Sequence, residues 1–170
     1  MVWSQGFIPP FNPKIPSIIT IHDLNHLKLY SLKHKFYYNW IIKPLCRNKN
    51  IKITTVSEAS RVEISKWLNI PMEEIKVIYL GVSDIFFSDK YDKYGHQKPY
   101  FLYVGNKLPY KNIKRMLISF SQAKTPCDFL LTGEPNNEIL NIIDKLKIKS
   151  RVFFTGHVND RTLKSLYKGA

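Results

Sequence analysis

Apolar residues change their spacing several times along this chain, and each change marks a boundary between strand and helix. Short β-branched or aromatic runs at residues 17–22, 52–56, 76–80, 100–104, 128–132 and 151–155 predict strands. In the fourth of these, Phe101, Leu102, Tyr103 and Val104 are continuous, which predicts a strand buried on both faces. Between the runs the period widens to that of a helix. Ile113, Met116, Leu117 and Phe120 share one helical face, as do Ile139, Ile142, Ile143 and Leu146. Ser57 predicts the N-cap of a helix over 58–68 that Pro71 stops, Pro135 is placed near the first turn of a later helix, and Asp160 predicts the cap of a last one.

The predicted elements alternate on both sides of residues 83–99, where periodicity is lost and Asp, Lys, Tyr and Gly collect. Alternation of this kind predicts an α/β protein with parallel sheets. The domain reading is a first α/β piece over 1–82, a linker over 83–99 and a second piece over 100–170. Residues 1–16 hold four prolines and are expected to be extended and loop-like.

Residues 24–50 fit no single template. Tyr37, Tyr38, Trp40, Ile41 and Ile42 crowd the stretch with bulk, while Lys28, Lys33, Lys35, Lys43, Arg47 and Lys49 charge it. It is expected to be helical, and two roles compete for it. It is a core helix carrying ordinary lysines, or a surface that meets anionic lipid through basic residues and interfacial aromatics. The core role stands ahead, because no clean apolar stripe can be drawn along it.

Composition narrows the class further. With 170 residues, 44% hydrophobic, the chain can bury a sizeable core. A net charge of +13 favours an anionic partner: phosphorylated small molecules, an anionic membrane surface or nucleic acid. The lysines are scattered, and no helix-turn-helix, RNP or zinc signature occurs, so nucleic acid is not expected as a partner. Cys46 and Cys127 are isolated and read as free thiols of a reducing compartment. The first residues lack the basic and apolar regions of a signal peptide, and no apolar run approaches the ~20 residues of a membrane span. A cytoplasmic protein is expected, peripheral at the inner face of the cell membrane if the basic stretch docks there.

Candidate chemistry gathers where strands end. Each strand after residue 100 is followed by a glycine: Gly105, Gly133 and Gly156. Three such turns on one sheet edge would line a crevice for a phosphorylated ligand. After Gly105, the turn 106–110 leads to Lys111, expected in the first turn of a helix whose free N–H groups and positive dipole end suit a phosphate. In the first piece the polar pair His22 and Asp23 follows a strand, the position where open parallel sheets place ligands.

Six stretches in this order resemble the retaining nucleotide-sugar glycosyltransferases of the GT-B fold, the group 1 family, and especially its mannosyltransferase-like branch. They are TIHDL at 20–24, TVSEASRVEI at 55–64, VIYLGVSDIFF at 77–87, YFLYVGNKLPYKNIKRML at 100–117, LLTGEPN at 130–136 and VFFTGHVNDRTLKSLYKGA at 152–170. The resemblance implies a GT-B-like fold of two Rossmann-like parallel-sheet pieces, each incomplete, in a chain truncated at both ends. It implies transfer of a hexose, mannose among the candidates, from a nucleotide-sugar to a growing cell-surface glycan or lipid-linked acceptor. His22 and Asp23 would be catalytic, with His22 beside the transferred sugar. Gly105, Asn106, Lys107 and Lys111 would hold the donor diphosphate. Gly133, Glu134, Gly156, His157 and Val158 would meet the nucleotide base and sugar. No metal and no cofactor is expected, since basic side chains and amides neutralise the diphosphate and no DxD motif is present.

The chain also departs from the family pattern. Asn106 stands where many relatives have arginine, with Lys107 as the substitute, and the glutamate-bearing Glu-x(7)-Glu segment would begin beyond Ala170. Little or no transferase activity is therefore expected of these residues alone. The alternatives are a non-catalytic remnant binding a nucleotide-sugar or anion, and a basic nucleic-acid-binding protein.

Overall fold

The computed structural model describes residues 1–6, 8–10, 14–25, 27, 32–88 and 91–170. The chain divides into two units, Met1–Gly81 and Val82–Ala170, each built on its own parallel sheet.

The first unit has a four-stranded sheet in sequence order: β1 (Val2–Ser4), β2 (Ser17–Thr20), β3 (Ile51–Thr55) and β4 (Ile75–Val77). β1 corrects the expectation of a loop over 1–16. Three residues carry too little pattern to be read as a strand, yet Trp3 pairs in register with Ile18 and its indole donates to Thr20 Oγ1 at 3.1 Å. One face of the sheet buries Ile19, Ile21, Ile51, Ile53 and Ile75. Helical residues pack on it from α1 (Leu32–Tyr37), a π-helical turn (Tyr38–Ile42) and α2 (Lys43–Cys46), and from α3 (Glu58–Leu68). α3 starts where its cap predicts: Ser57 Oγ accepts from the Ser60 amide at 3.1 Å. It ends on Asn69 in the left-handed conformation, φ 55°, one of the few side chains that tolerate it. The opening part of the basic stretch, at 26 and 28–31, lies outside the described residues.

The second unit has a three-stranded parallel sheet, β5 (Tyr100–Tyr103), β6 (Asp128–Leu131) and β7 (Val152–Phe154), again in sequence order. β6 is central and buried at every position. β5 is an edge strand, so its run is not buried on both faces and Phe101 is exposed. α4 (Ile113–Gln122) and α5 (Asn137–Leu146) lay Ile113, Leu117, Phe120, Ile139 and Ile143 on one side of the sheet. α6 (Asp160–Gly169) brings Leu166 against Tyr100 and Leu130 on a separate cluster. One cap falls a residue from expectation, and one proline falls outside the helix whose first turn it was expected near. Pro135 precedes Asn136, whose Oδ1 caps α5 at 2.9 Å, and α6 is capped by Asn159, with Asp160 as its first residue. In both places asparagine accepts the free amide three residues on and so fixes where the helix starts.

Residues 83–99, expected as a linker, pack on the second unit in their described part. Lys164, buried on α6, donates Nζ to the Ile85 carbonyl at 2.7 Å, and Lys168 donates to that of Tyr91 at 3.0 Å. The Tyr94 amide bonds the Ser165 carbonyl at 3.0 Å, and His96 Nε2 lies 2.7 Å from Oδ2 of buried Asp128. No local periodicity announces this segment, because its partners stand roughly 30 to 80 positions away in the chain.

Two stability outcomes follow. Lys164→Met keeps most of the packing but orphans the Ile85 carbonyl, and should destabilise the second unit by about 1–3 kcal/mol in urea denaturation. Lys147 closes α5 at φ 55° without glycine's freedom. Lys147→Gly should raise the melting temperature, with a gain of about 0.5–1 kcal/mol, the left-handed cost less the entropy glycine adds to the unfolded chain.

Candidate functional site

Parallel register sets the site. Tyr103, Leu131 and Phe154 are level across β5, β6 and β7, so the three strands finish together. Gly105, Gly133 and Gly156 then follow at the same carboxyl edge, at φ 147°, 76° and 67°. The Gly133 amide donates to the Gly156 carbonyl at 2.7 Å, pinning two of the turns together. A side chain at Gly133 would be strained by its left-handed φ, and its Cβ, 3.1 Å from Nζ of Lys107, would press that ammonium out of place.

Lys107 is the centre of this edge. Its half-buried ammonium donates to the Thr132 carbonyl at 2.7 Å and sits 5.8 Å from the centre of the Phe154 ring. Burial holds its pKa below the usual lysine value, and the Glu134 carboxylate opposes that shift. An ammonium has three donors, so one is committed to Thr132 and two can serve an anion. Tyr103 shapes the adjoining turn by donating its hydroxyl to the Asn106 carbonyl at 2.5 Å. Burial, and secondarily Tyr110, raises the Tyr103 pKa, which keeps that hydroxyl protonated.

The other predicted residues divide. Lys111 lies in a 3-10 turn, Pro109–Lys111, and not in the first turn of α4 as expected. The reason is Asn112, which takes the left-handed conformation at φ 59° and breaks the turn from the helix. Lys111 is exposed, with Nζ 5.3 Å from the Tyr110 ring centre. The Asn112 side chain caps none of the first amides of α4. Asn106 and Glu134 are exposed, and Glu134 Oε1 would lie 3.1 Å from a Cβ at Gly156. His157 is exposed after that glycine, whereas Val158 packs toward Tyr100, Leu130 and Leu166. Sequence reasoning missed Thr132, Tyr103 and Phe154, which position Lys107 and read only as strand residues in the sequence.

In the first unit, His22 and Asp23 follow β2 at the carboxyl edge of that sheet. His22 is exposed, and its carbonyl accepts from Ser60 Oγ at 2.8 Å. With Trp3, Thr20, Thr54 and Lys76 it lines a cavity of about 750 Å³. Asp23 is turned inward on its own loop. Its two carboxylate oxygens accept from the Asn25 amide and side chain, each at 2.9 Å.

This architecture has known counterparts. The O-antigen chain mannosyltransferase RfbU of Salmonella typhimurium strain LT2 is 27% identical over 156 residues, covering 89% of this chain and 43% of that protein. Anabaena Alr3699/HepE, crystallised in complex with UDP and glucose, superposes with a TM-score of 0.68 at 18% identity, covering 85% of this chain and 42% of the other. A glycosyltransferase from Rickettsia africae ESF-5 gives 0.64 at 19% identity, covering 91% and 43%. The chain thus spans less than half the length of these relatives, and its two parallel-sheet units have the GT-B form. Residues 84–170, nearly all of the second unit and the whole glycine-lined edge, match the glycosyl transferases group 1 family, and the chain belongs to that family.

Proposed function

We propose that this chain carries the donor-diphosphate site of a hexosyltransferase that moves a hexose from a nucleotide-sugar to a growing cell-surface glycan or lipid-linked acceptor. The observation that carries the reading is the Lys107 ammonium, fixed by the Thr132 carbonyl among three glycine turns at the carboxyl edge of one sheet. A diphosphate leaving group gathers negative charge as the sugar departs, and a fixed cation stabilises that charge without first having to reorganise. Lys107 is the principal cation of this reading, and Lys111, exposed on its 3-10 turn, is the second. Gly133, Gly156, His157 and Val158 offer backbone to the nucleoside, and Glu134 stands beside them. His22, next to the cavity of the first unit, serves the sugar being transferred. The name of the Salmonella relative supports mannose as the sugar and O-antigen-type glycan as the acceptor, and the UDP of the Anabaena complex supports a nucleotide donor. No metal is needed for this charge balance.

Calorimetry with UDP and GDP on the 170-residue chain tests the reading. Lys107→Ala removes a charge-assisted contact worth about 1.5–3 kcal/mol and should weaken binding roughly tenfold to a hundredfold. It should also lower the melting temperature, because the Thr132 carbonyl loses its donor. Lys111→Ala should weaken binding less and leave the melting temperature unchanged, as an exposed cation contributes little to folding. A folded parent chain with no affinity for either nucleotide, or a Lys107→Ala variant that binds as well as the parent, overturns the assignment.

The pH dependence has a definite sign. Lys107 must be protonated to bind, and burial depresses its pKa in the free chain. Affinity should be level through neutrality and fall on the alkaline side, beginning below pH ~10.4 where an ordinary lysine titrates. Lys107→Arg, which keeps its charge throughout, should make that fall smaller and start it at higher pH, leaving the lesser part that Lys111 contributes.

A further inference from the structure

We propose that the outer face of the helical segment spanning residues 32–47 docks on an anionic lipid surface. Leu32, Phe36 and Trp40 would enter the boundary between headgroups and acyl chains, while Lys43 and Arg47 meet headgroup phosphates. The inference is independent of the donor site.

The segment has two apolar faces where a surface helix needs one. Ile42 and Cys46 are buried in the core of the first unit, with Tyr37 and Tyr38 packed against it, which satisfies the inner face. Leu32, Phe36 and Trp40, spaced four apart, nonetheless stand outside at 81%, 62% and 70% exposure. The Phe36 and Trp40 rings stack on each other with centroids 5.7 Å apart, and Trp67 Nε1 holds Asn39 Oδ1 at 2.9 Å beside them. The stripe is therefore held in place and open to solvent, and the core does not account for it. Beyond it, Trp40, Lys43, Pro44 and Arg47 line one depression of about 620 Å³, which puts an indole and two cations on a single surface.

Charge selects the occupant. From residue 24 to residue 57 the sequence contains no aspartate or glutamate, while lysines and an arginine recur throughout. A second copy docked face to face would set Lys43 and Arg47 against their own counterparts with no carboxylate from this stretch to pair them. An anionic bilayer supplies both things the face lacks: phosphates for the cations, and an interface where tryptophan is favoured. The face remains peripheral, since among the described residues no helix is long and apolar enough to cross a membrane.

Co-sedimentation of the 170-residue chain with vesicles tests the proposal, comparing phosphatidylcholine alone with phosphatidylcholine mixed with phosphatidylglycerol. Binding should require the anionic lipid and fall more than tenfold as salt rises from about 0.1 to about 1 M, where screening shortens from about 10 to about 3 Å. Lys43→Glu with Arg47→Glu should weaken it at least tenfold, given about fivefold per basic residue at such a surface. Phe36→Ser with Trp40→Ser should weaken it comparably, and brominated lipid should quench the parent's fluorescence but quench that of Trp40→Phe far less. Phe36, Trp40 and Arg47 are exposed and Lys43 is half-buried, and none of the four belongs to the buried core, so circular dichroism and UDP affinity should be unchanged in each variant, which separates failure here from failure of the donor site. Equal binding to neutral and anionic vesicles overturns the proposal, as does binding that neither pair of substitutions alters. Self-association in sedimentation velocity that Phe36→Ser with Trp40→Ser abolishes, without vesicle binding by the parent, assigns the face to a second copy and overturns it too.

Discussion

Parallel pairing of β5, β6 and β7 is the constraint on which the donor edge depends. The three strands are short, and their register leaves all of them ending level at Tyr103, Leu131 and Phe154. β6 sends Phe129 and Leu131 into one buried cluster and Leu130 into another on its opposite face, so a slip of one residue would exchange these side chains between two differently shaped cores. Register is therefore fixed by the core, and the turns that follow inherit their alignment from it. The chemistry at the edge is a by-product of packing several ångströms away. The same reasoning explains why Lys107 can be half-buried. Its ammonium replaces lost water with the Thr132 carbonyl, a group that β6 presents in a fixed direction.

Much of this was legible in the sequence because it is local. A β-branched run, a glycine and then an amphipathic stretch is a signal contained within about twenty residues, and it located the central strands and all three glycine turns. Ser57 announced its helix correctly, since an N-cap acts over three positions. What escaped was set by distance. β1 is too short to have a pattern, and exists because Ser17, Ile18 and Ile19 offer it a neighbour. The 83–99 segment has no period of its own, and owes its place to Lys164, Ser165 and Asp128. Phe101 looked buried because a continuous apolar run cannot say whether its strand is central or at an edge.

The candidate site divides in the same way. Glycines at strand ends were readable, and so was the presence of lysines nearby. Which lysine is held at the centre was not. Lys111 looked better placed because the helix seemed to begin there, and the left-handed Asn112 moves that start two residues on. Lys107 was one cation in a turn until Thr132 and Phe154, some 25 and 47 positions later, were brought beside it. Cys46 shows the opposite case. Its isolation suggested a free thiol, and burial pushes its pKa up to about 12, so it stays protonated.

The π-helical turn at Tyr38–Ile42 has a consequence for how this protein can vary. Its closing bond runs from the Lys43 amide to the Tyr38 carbonyl, five residues back where an α-helix reaches four. One surplus residue is thus stored inside an otherwise continuous helical stretch. Deleting it would restore regular winding and leave the N-terminal side facing much as it does now relative to Ile42 and Cys46, which are anchored in the core, because the π turn absorbs its extra residue within a single turn. Leu32 and Phe36 would then stay on the side of the helix that carries Lys43 and Arg47, whereas losing a further residue, with no surplus left to absorb it, would swing them away by about 100°. The segment accordingly tolerates one change of length at the π turn, and it is the second that would change which way the outer face points.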